Sequence, residues 1–146
     1  MMLFDASAIL NVIRELGSDS FRLLHGNYIL SLTPNEIGNA IWKETVLLKR
    51  ITVDEAIKLL DLVSSSYSIL NIAFPENMFH ILKIAHSLRI TYDDSSYVVA
   101  SQELNSTLVT DDFKLRKSIQ QNETTISDIL GSKVRVISTS ELIGLK

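Results

Sequence analysis

Four acidic stations along the chain have the residue types and placement for chemistry: Asp5, Glu36, the pair Asp93–Asp94 and the pair Asp111–Asp112. Asp5 ends the apolar run MLF (2–4), and Asp111–Asp112 follow TLVT (107–110). Glu36 lies in TPNE (33–36), and Asp93–Asp94 stand just before SSYVVAS, a run patterned for burial. One carboxylate at a helix start is ordinarily a cap. TPNE reads as a capping box with Thr33 at N-cap, Pro34 at N1 and Glu36 at N3, and TYDD (91–94) follows the same logic. Asp5 is harder to explain this way, because a charge at the end of a buried strand costs several kcal/mol unless something neutralises it. Acidic groups converging on one edge of a sheet repel without a counter-ion. All-oxygen donors in that number suit Mg2+ or Mn2+.

The elements that must position these residues alternate. Apolar runs at 2–4, 28–31, 66–72, 107–110 and 134–137 read as strands. Helices are expected at 6–16, 18–25, 33 to about 50, 53–64, 76–88, 94–104, 113–118 and 140–145. Within them Val53, Ala56, Ile57, Leu60 and Val63 form one stripe at helical spacing, and Met78, Ile81, Leu82, Ala85 and Leu88 another. The polar stretch 120–133, which contains Gly131, is expected to be the least ordered. Strands separated by helices pair in parallel and carry helices on both faces. The expectation is a three-layer α/β/α fold of the Rossmann-like kind, with a central parallel sheet of four to five strands. In such sheets ligands bind outside the carboxyl ends of the strands, where the acidic stations fall.

The chain has 146 residues, a length that suits one domain spanning 1–146. Hydrophobic residues make up 46%, enough for a packed core and too many for disorder. There is no cysteine, which excludes disulfides, thiolate nucleophiles and cysteine zinc sites. No apolar run is long enough to span a bilayer, and MMLFD lacks the basic start of a signal peptide, so a cytoplasmic protein is expected. The net charge of −3 offers nucleic acid no general attraction, so any such binding needs a local basic patch.

These segments resemble the PIN-domain ribonucleases, in particular the compact VapC-type toxins of VapBC toxin–antitoxin pairs. MLFDASAIL resembles the family's first strand with its aspartate, followed two residues on by Ser7. LTPNEIGNAIWK resembles the element in which a glutamate opens a helix, and YDDSSYVVASQELNSTLVTDDFKL the paired signature that follows. The family's spacing puts its acid three residues before an aromatic, which selects Asp94 by counting back from Tyr97 and turns Asp93 away. The second acid lies two residues after Thr110 and two before Lys114, which selects Asp112. Asp93 and Asp111 depart from the pattern by adding charge beside the site.

The resemblance covers nearly the whole chain. It implies a PIN-like fold and a hydrolase that cleaves RNA phosphodiester bonds with Mg2+ or Mn2+ held by Asp5, Glu36, Asp94 and Asp112. A cation so held stabilises charge on the phosphoryl oxygens and lowers the pKa of a bound water. The resemblance also implies a homodimer and a cognate antitoxin protein laid across the acidic groove. Ser7, Thr110 and Asn39 are candidate supports for the quartet, and Lys43, Lys114, Arg116 and Lys117 candidate RNA contacts. Trp42 is expected in the core or at a subunit contact, as are the apolar stripes of 53–64 and 76–88. Two alternatives belong beside this reading: a catalytically inactive PIN-like interaction module, and an RNA-processing PIN nuclease without an antitoxin. A phosphoacceptor receiver would want paired acids near the first strand, and a haloacid-type phosphatase an aspartate where Ser7 stands.

Overall fold

Strand β1 (Met2–Phe4) is flanked by β2 (Tyr28–Leu30) and β4 (Thr107–Val109), with β3 (Asn71–Ala73) and β5 (Val136–Ile137) at the edges. This is a computed structural model, and it describes residues 1–144. Every pairing is parallel. Leu3 aligns with Tyr28 on one side and with Leu108 on the other. The three central strands are buried on both faces, while the edge strands are partly or largely exposed. Phe4, Ile29 and Val109 enter one hydrophobic cluster, while their neighbours Leu3, Leu30 and Leu108 enter a second.

The first cluster is covered by α1 (Ala6–Leu16), α2 (Ser20–Leu24), α3 (Thr33–Trp42) and α4 (Val53–Ser66). The second is covered by α5 (Met78–Leu88), α6 (Tyr92–Glu103), α7 (Phe113–Gln121) and α8 (Glu123–Leu130). The short α9 (Thr139–Gly144) closes the described chain, and Leu145, expected to continue it, lies outside the described residues. The three-layer α/β/α architecture with a five-stranded parallel sheet is therefore as the sequence implies. No helix among the described residues is long and apolar enough to cross a membrane.

The order β3-β2-β1-β4-β5 has a consequence for function. From β1 the chain winds outward through β2 and β3, then returns to the other side of β1 with β4. The crossovers diverge between β1 and β4, and the crevice at their carboxyl ends is the expected ligand position. Asp5 and Asp111–Asp112 follow those two strands.

Several local expectations are corrected. The strand expected over 66–72 is reduced to its last two residues, 71–72, and extends to Ala73. Helix α4 starts from a full capping box, Thr52 with Glu55, and runs to Ser66, whose hydroxyl donates to the Val63 carbonyl at 2.6 Å. β3 begins only at Asn71. The helix from Thr33 does not continue regularly to Arg50. After Trp42 it widens into a π-helical turn over Lys43–Leu47, closed by Leu48 N–H donating to Lys43 O at 2.9 Å. The segment 120–133 is ordered: α7 reaches Gln121, α8 follows, and Gly131 is α8's left-handed cap (φ 85°) rather than a loop marker.

Both predicted stripes split. Ala56 and Val63 are buried while Val53, Ile57 and Leu60 are exposed, and Ile81, Ala85 and Leu88 are buried while Met78 and Leu82 are exposed. Trp42 is half exposed, not core.

Candidate active site

Asp5 is the buried member of the site. It caps α1, its Oδ1 accepting from Ala8 N–H at 2.9 Å and from the Ser7 hydroxyl at 2.7 Å. Burial pushes its pKa up. Hydrogen bonds from Thr110, Ala8 and Ser7 oppose this, and the Asp111 charge adds to it. Ser7 and Thr110, proposed as supports, do touch the site. Ser7 Oγ also accepts from Asp111 N–H at 3.1 Å, and Thr110 Oγ1 accepts from Asp112 N–H at 3.1 Å. These two hydroxyls bind the end of β1 to the end of β4.

Glu36 does not close a capping box. Leu32 stands at the N-cap of α3 and offers no side-chain cap, while Thr33 is already inside the helix and fully buried. Thr33 Oγ1 accepts from Leu30 N–H at 3.0 Å and lies 2.7 Å from the Tyr97 hydroxyl. That hydroxyl donates to Glu36 Oε1 at 2.5 Å. Burial raises the Glu36 pKa; Tyr97 opposes this, and the charges of Asp93, Asp5 and Asp94 add to it. Burial first, then the bond to Glu36, pushes the Tyr97 phenol far above its ordinary value.

Asp94 sits in the first turn of α6, but it is not the cap. Thr91 is, its Oγ1 accepting from Asp94 N–H at 3.1 Å. The rest of α6 explains the placement. Residues Ser95–Ser101 are all buried, and the hydroxyls of Ser95, Ser96 and Ser101 bond to backbone carbonyls, so the helix threads the core with only its N-terminal end reaching the crevice. Burial raises the Asp94 pKa, with the Asp112 and Asp93 charges adding to it. Asp112 caps α7, accepting from Leu115 N–H at 3.1 Å.

The fold thus brings Asp5, Glu36, Asp94 and Asp112 into one electrostatically linked group at the carboxyl edge of the sheet: Glu36 feels Asp5 and Asp94, and Asp94 feels Asp112. It does not draw them into a finished ligand set. Among the described residues, no three His, Asp or Glu side chains are close enough together to hold a metal ion. The donors are nevertheless all oxygen and mutually repelling, the chemistry a hard divalent cation suits.

The two extra aspartates separate sharply. Asp93 is exposed, but it is not turned away from the site: it is the foremost charge acting on Glu36. It also lines a cleft of about 530 Å3 with Glu36, Asn39, Lys43 and Arg50. Asp111 is structural. Burial alone would raise its pKa. The Asn11 amide at 2.6 Å, the Thr139 hydroxyl at 2.6 Å, the Thr139 N–H at 2.8 Å and the nearby Arg116 charge hold it below the ordinary value.

Asn39 and Lys43 lie in the cleft beside Glu36, and Arg50, which the sequence reading missed, joins them there. Lys114 and Lys117 are exposed on α7. Arg116 is committed elsewhere: it donates to Thr110 O at 2.8 Å and lies 5.9 Å from the centre of the Phe113 ring. Also missed was the contact from Tyr97 to Glu36. Its sequence signal, beyond its spacing from Asp94, was a tyrosine in a buried run, SSYVVAS, otherwise made of small and β-branched residues.

No family model matches this chain, and no curated protein does. Among solved structures the fold is similar to that of PAE2754 from Pyrobaculum aerophilum, with a TM-score of 0.75 and 22% sequence identity, over 99% of this chain and 87% of that one. At that identity the likeness is one of fold.

Proposed function

We propose that this chain is a metal-dependent ribonuclease in which Asp5, Glu36, Asp94 and Asp112 hold Mg2+ or Mn2+. The observation that carries the reading is the electrostatic linkage of these four carboxylates, contributed by four separate elements, at the switch between β1 and β4. Three of them, Asp5, Glu36 and Asp94, have raised pKa values from burial and like charge. A protein that concentrates unpaired carboxylates in this way gains most from a cation. When bound, the cation supplies charge stabilisation for a phosphoryl group and a more acidic water. The chain's own residues do the rest. Ser7 and Thr110 fix Asp5 and the turn before Asp112, while Lys43 and Arg50 offer positive charge to an RNA backbone beside Glu36.

The toxin of a toxin–antitoxin pair is the form of this activity we favour. Trp42, Val46, Leu47, Val53 and Ile57 expose apolar side chains at the end of α3, in the π-helical turn and on α4, and Phe74, Met78, Phe79 and Leu82 do so before and on α5. These surfaces support an antitoxin and a second copy of the chain as partners. A non-catalytic interaction module is the second reading, favoured by the absence of a gathered ligand set among the described residues. RNA cleavage assays with Mn2+ or Mg2+ and with EDTA separate the two. The nuclease reading expects cutting that vanishes on chelation and in Asp94→Asn. Full activity in EDTA, or none under any condition with RNA of mixed sequence, contradicts it.

A further inference from the structure

Tyr97 is almost completely buried, and for packing alone a phenylalanine would serve. Its oxygen is instead bonded on both sides, and the direction of those bonds is determined. Leu30 N–H can only donate, so Thr33 Oγ1 accepts from it at 3.0 Å. The Thr33 proton then goes to Tyr97 Oη at 2.7 Å, and the Tyr97 proton to Glu36 Oε1 at 2.5 Å. The reverse order would leave the Thr33 proton without a partner in a fully buried position. The relay therefore runs from the last residue of β2 to one oxygen of a carboxylate. Tyr97 also stands one turn after Asp94 on α6, so a single helix carries one acid of the site and the group that grips another.

On the ribonuclease reading above, we propose that Tyr97 is a positioning residue: backed by Thr33, its phenol holds Glu36 Oε1 and so fixes the orientation of a carboxylate that would help hold the cation. It thereby sets the separation of Glu36 from Asp94 across the crevice. A bond from a neutral donor to a carboxylate is among the stronger ones available to a side chain, and none of the four acids replaces it.

Mn2+ binding by calorimetry on the full chain tests this, with RNA cleavage as a second readout. Tyr97→Phe should bind Mn2+ about tenfold more weakly, the equivalent of ~1.4 kcal/mol. The Mn2+ concentration for half-maximal cleavage should rise by the same factor, while the rate at saturating Mn2+ falls less. Thr33→Val, which keeps the phenol, should weaken Mn2+ binding in the same direction, and Thr33→Ser should restore it. If Tyr97→Phe does not fold, the Thr33 pair decides: Val weakened and Ser restored supports the proposal, and no difference overturns it. Wild-type Mn2+ affinity in a folded Tyr97→Phe overturns this proposal alone. A wild-type protein that binds no Mn2+ and cuts no RNA overturns the nuclease reading, and this proposal with it.

Discussion

Asp94 shows how a residue that looks like a cap is recognised as something else. Thr91 makes the cap hydrogen bond, so Asp94 contributes only its charge to the start of α6. If that charge served the helix alone, Asp94→Asn would cost roughly 0.3–1 kcal/mol with or without metal. Among acids it is also repelled by Asp112 and Asp93, less so in salt. Asp94→Asn should therefore melt higher than wild type in EDTA, gain less from Mn2+ and lose cleavage by orders of magnitude. A lower melt in EDTA with cleavage kept contradicts the assignment. Asp93→Asn should also melt slightly higher, since Asp93 acts on Glu36, yet keep most activity.

The same charges set a pH dependence. Asp5, Glu36 and Asp94 titrate above their ordinary values in the folded protein. Between those values and the raised ones the native state holds more protons than the unfolded chain, so their contribution falls as pH rises through the window. Asp111 has the opposite sign: its contribution is present above its unfolded value and lost as pH falls through its lowered one. Three raised groups against the lowered Asp111 and the exposed, lowered Glu55 predict that denaturant midpoints in EDTA decline as pH rises above the ordinary carboxylate range and that Mn2+ reverses the trend. Midpoints that rise over this range without metal contradict it. At this scale sequence reasoning reached the acids, because charge beside an apolar run is visible in one dimension. It missed the Tyr97 grip, because a hydrogen bond between residues 61 positions apart is not.

Among the elements, the buried central strands and the starts of α1 and α4 were legible, since each carries an apolar run or a capping residue, while α6, expected from residue 94, begins at Tyr92 behind its Thr91 cap. Errors arose where one residue served two roles. Thr33 reads as a cap but is spent on Leu30 and Tyr97, and Gly131 reads as a loop but ends α8. Asp111 is a third case. Read as extra charge beside the site, it ties the end of β4 to Asn11 on α1 and Thr139 on α9. Asp111→Asn replaces an acceptor oxygen with a donor facing these donors, and should cost about 1–2 kcal/mol in denaturant melts. Mn2+ affinity should stay within a few-fold of wild type. Loss of Mn2+ binding with unchanged stability would instead make Asp111 a ligand.

For the whole molecule, the three-layer sheet puts Asp5 and Asp112 at the one place where its crossovers diverge, and α3 and α6 deliver Glu36 and Asp94 to the same edge. The exposed apolar residues of α4 and α5 predict self-association. Light scattering at high micromolar concentration should give a dimer, and Phe79→Glu or Ile57→Glu should shift it to monomer if its patch forms the contact. A wild-type monomer at that concentration contradicts the prediction. The central claim, four carboxylates from four elements around one cation position, has a more direct test. Anomalous X-ray diffraction from crystals soaked in Mn2+ should show a peak within about 2.0–2.3 Å of carboxylate oxygens drawn from Asp5, Glu36, Asp94 and Asp112. A peak elsewhere, or none at saturating Mn2+, would contradict it.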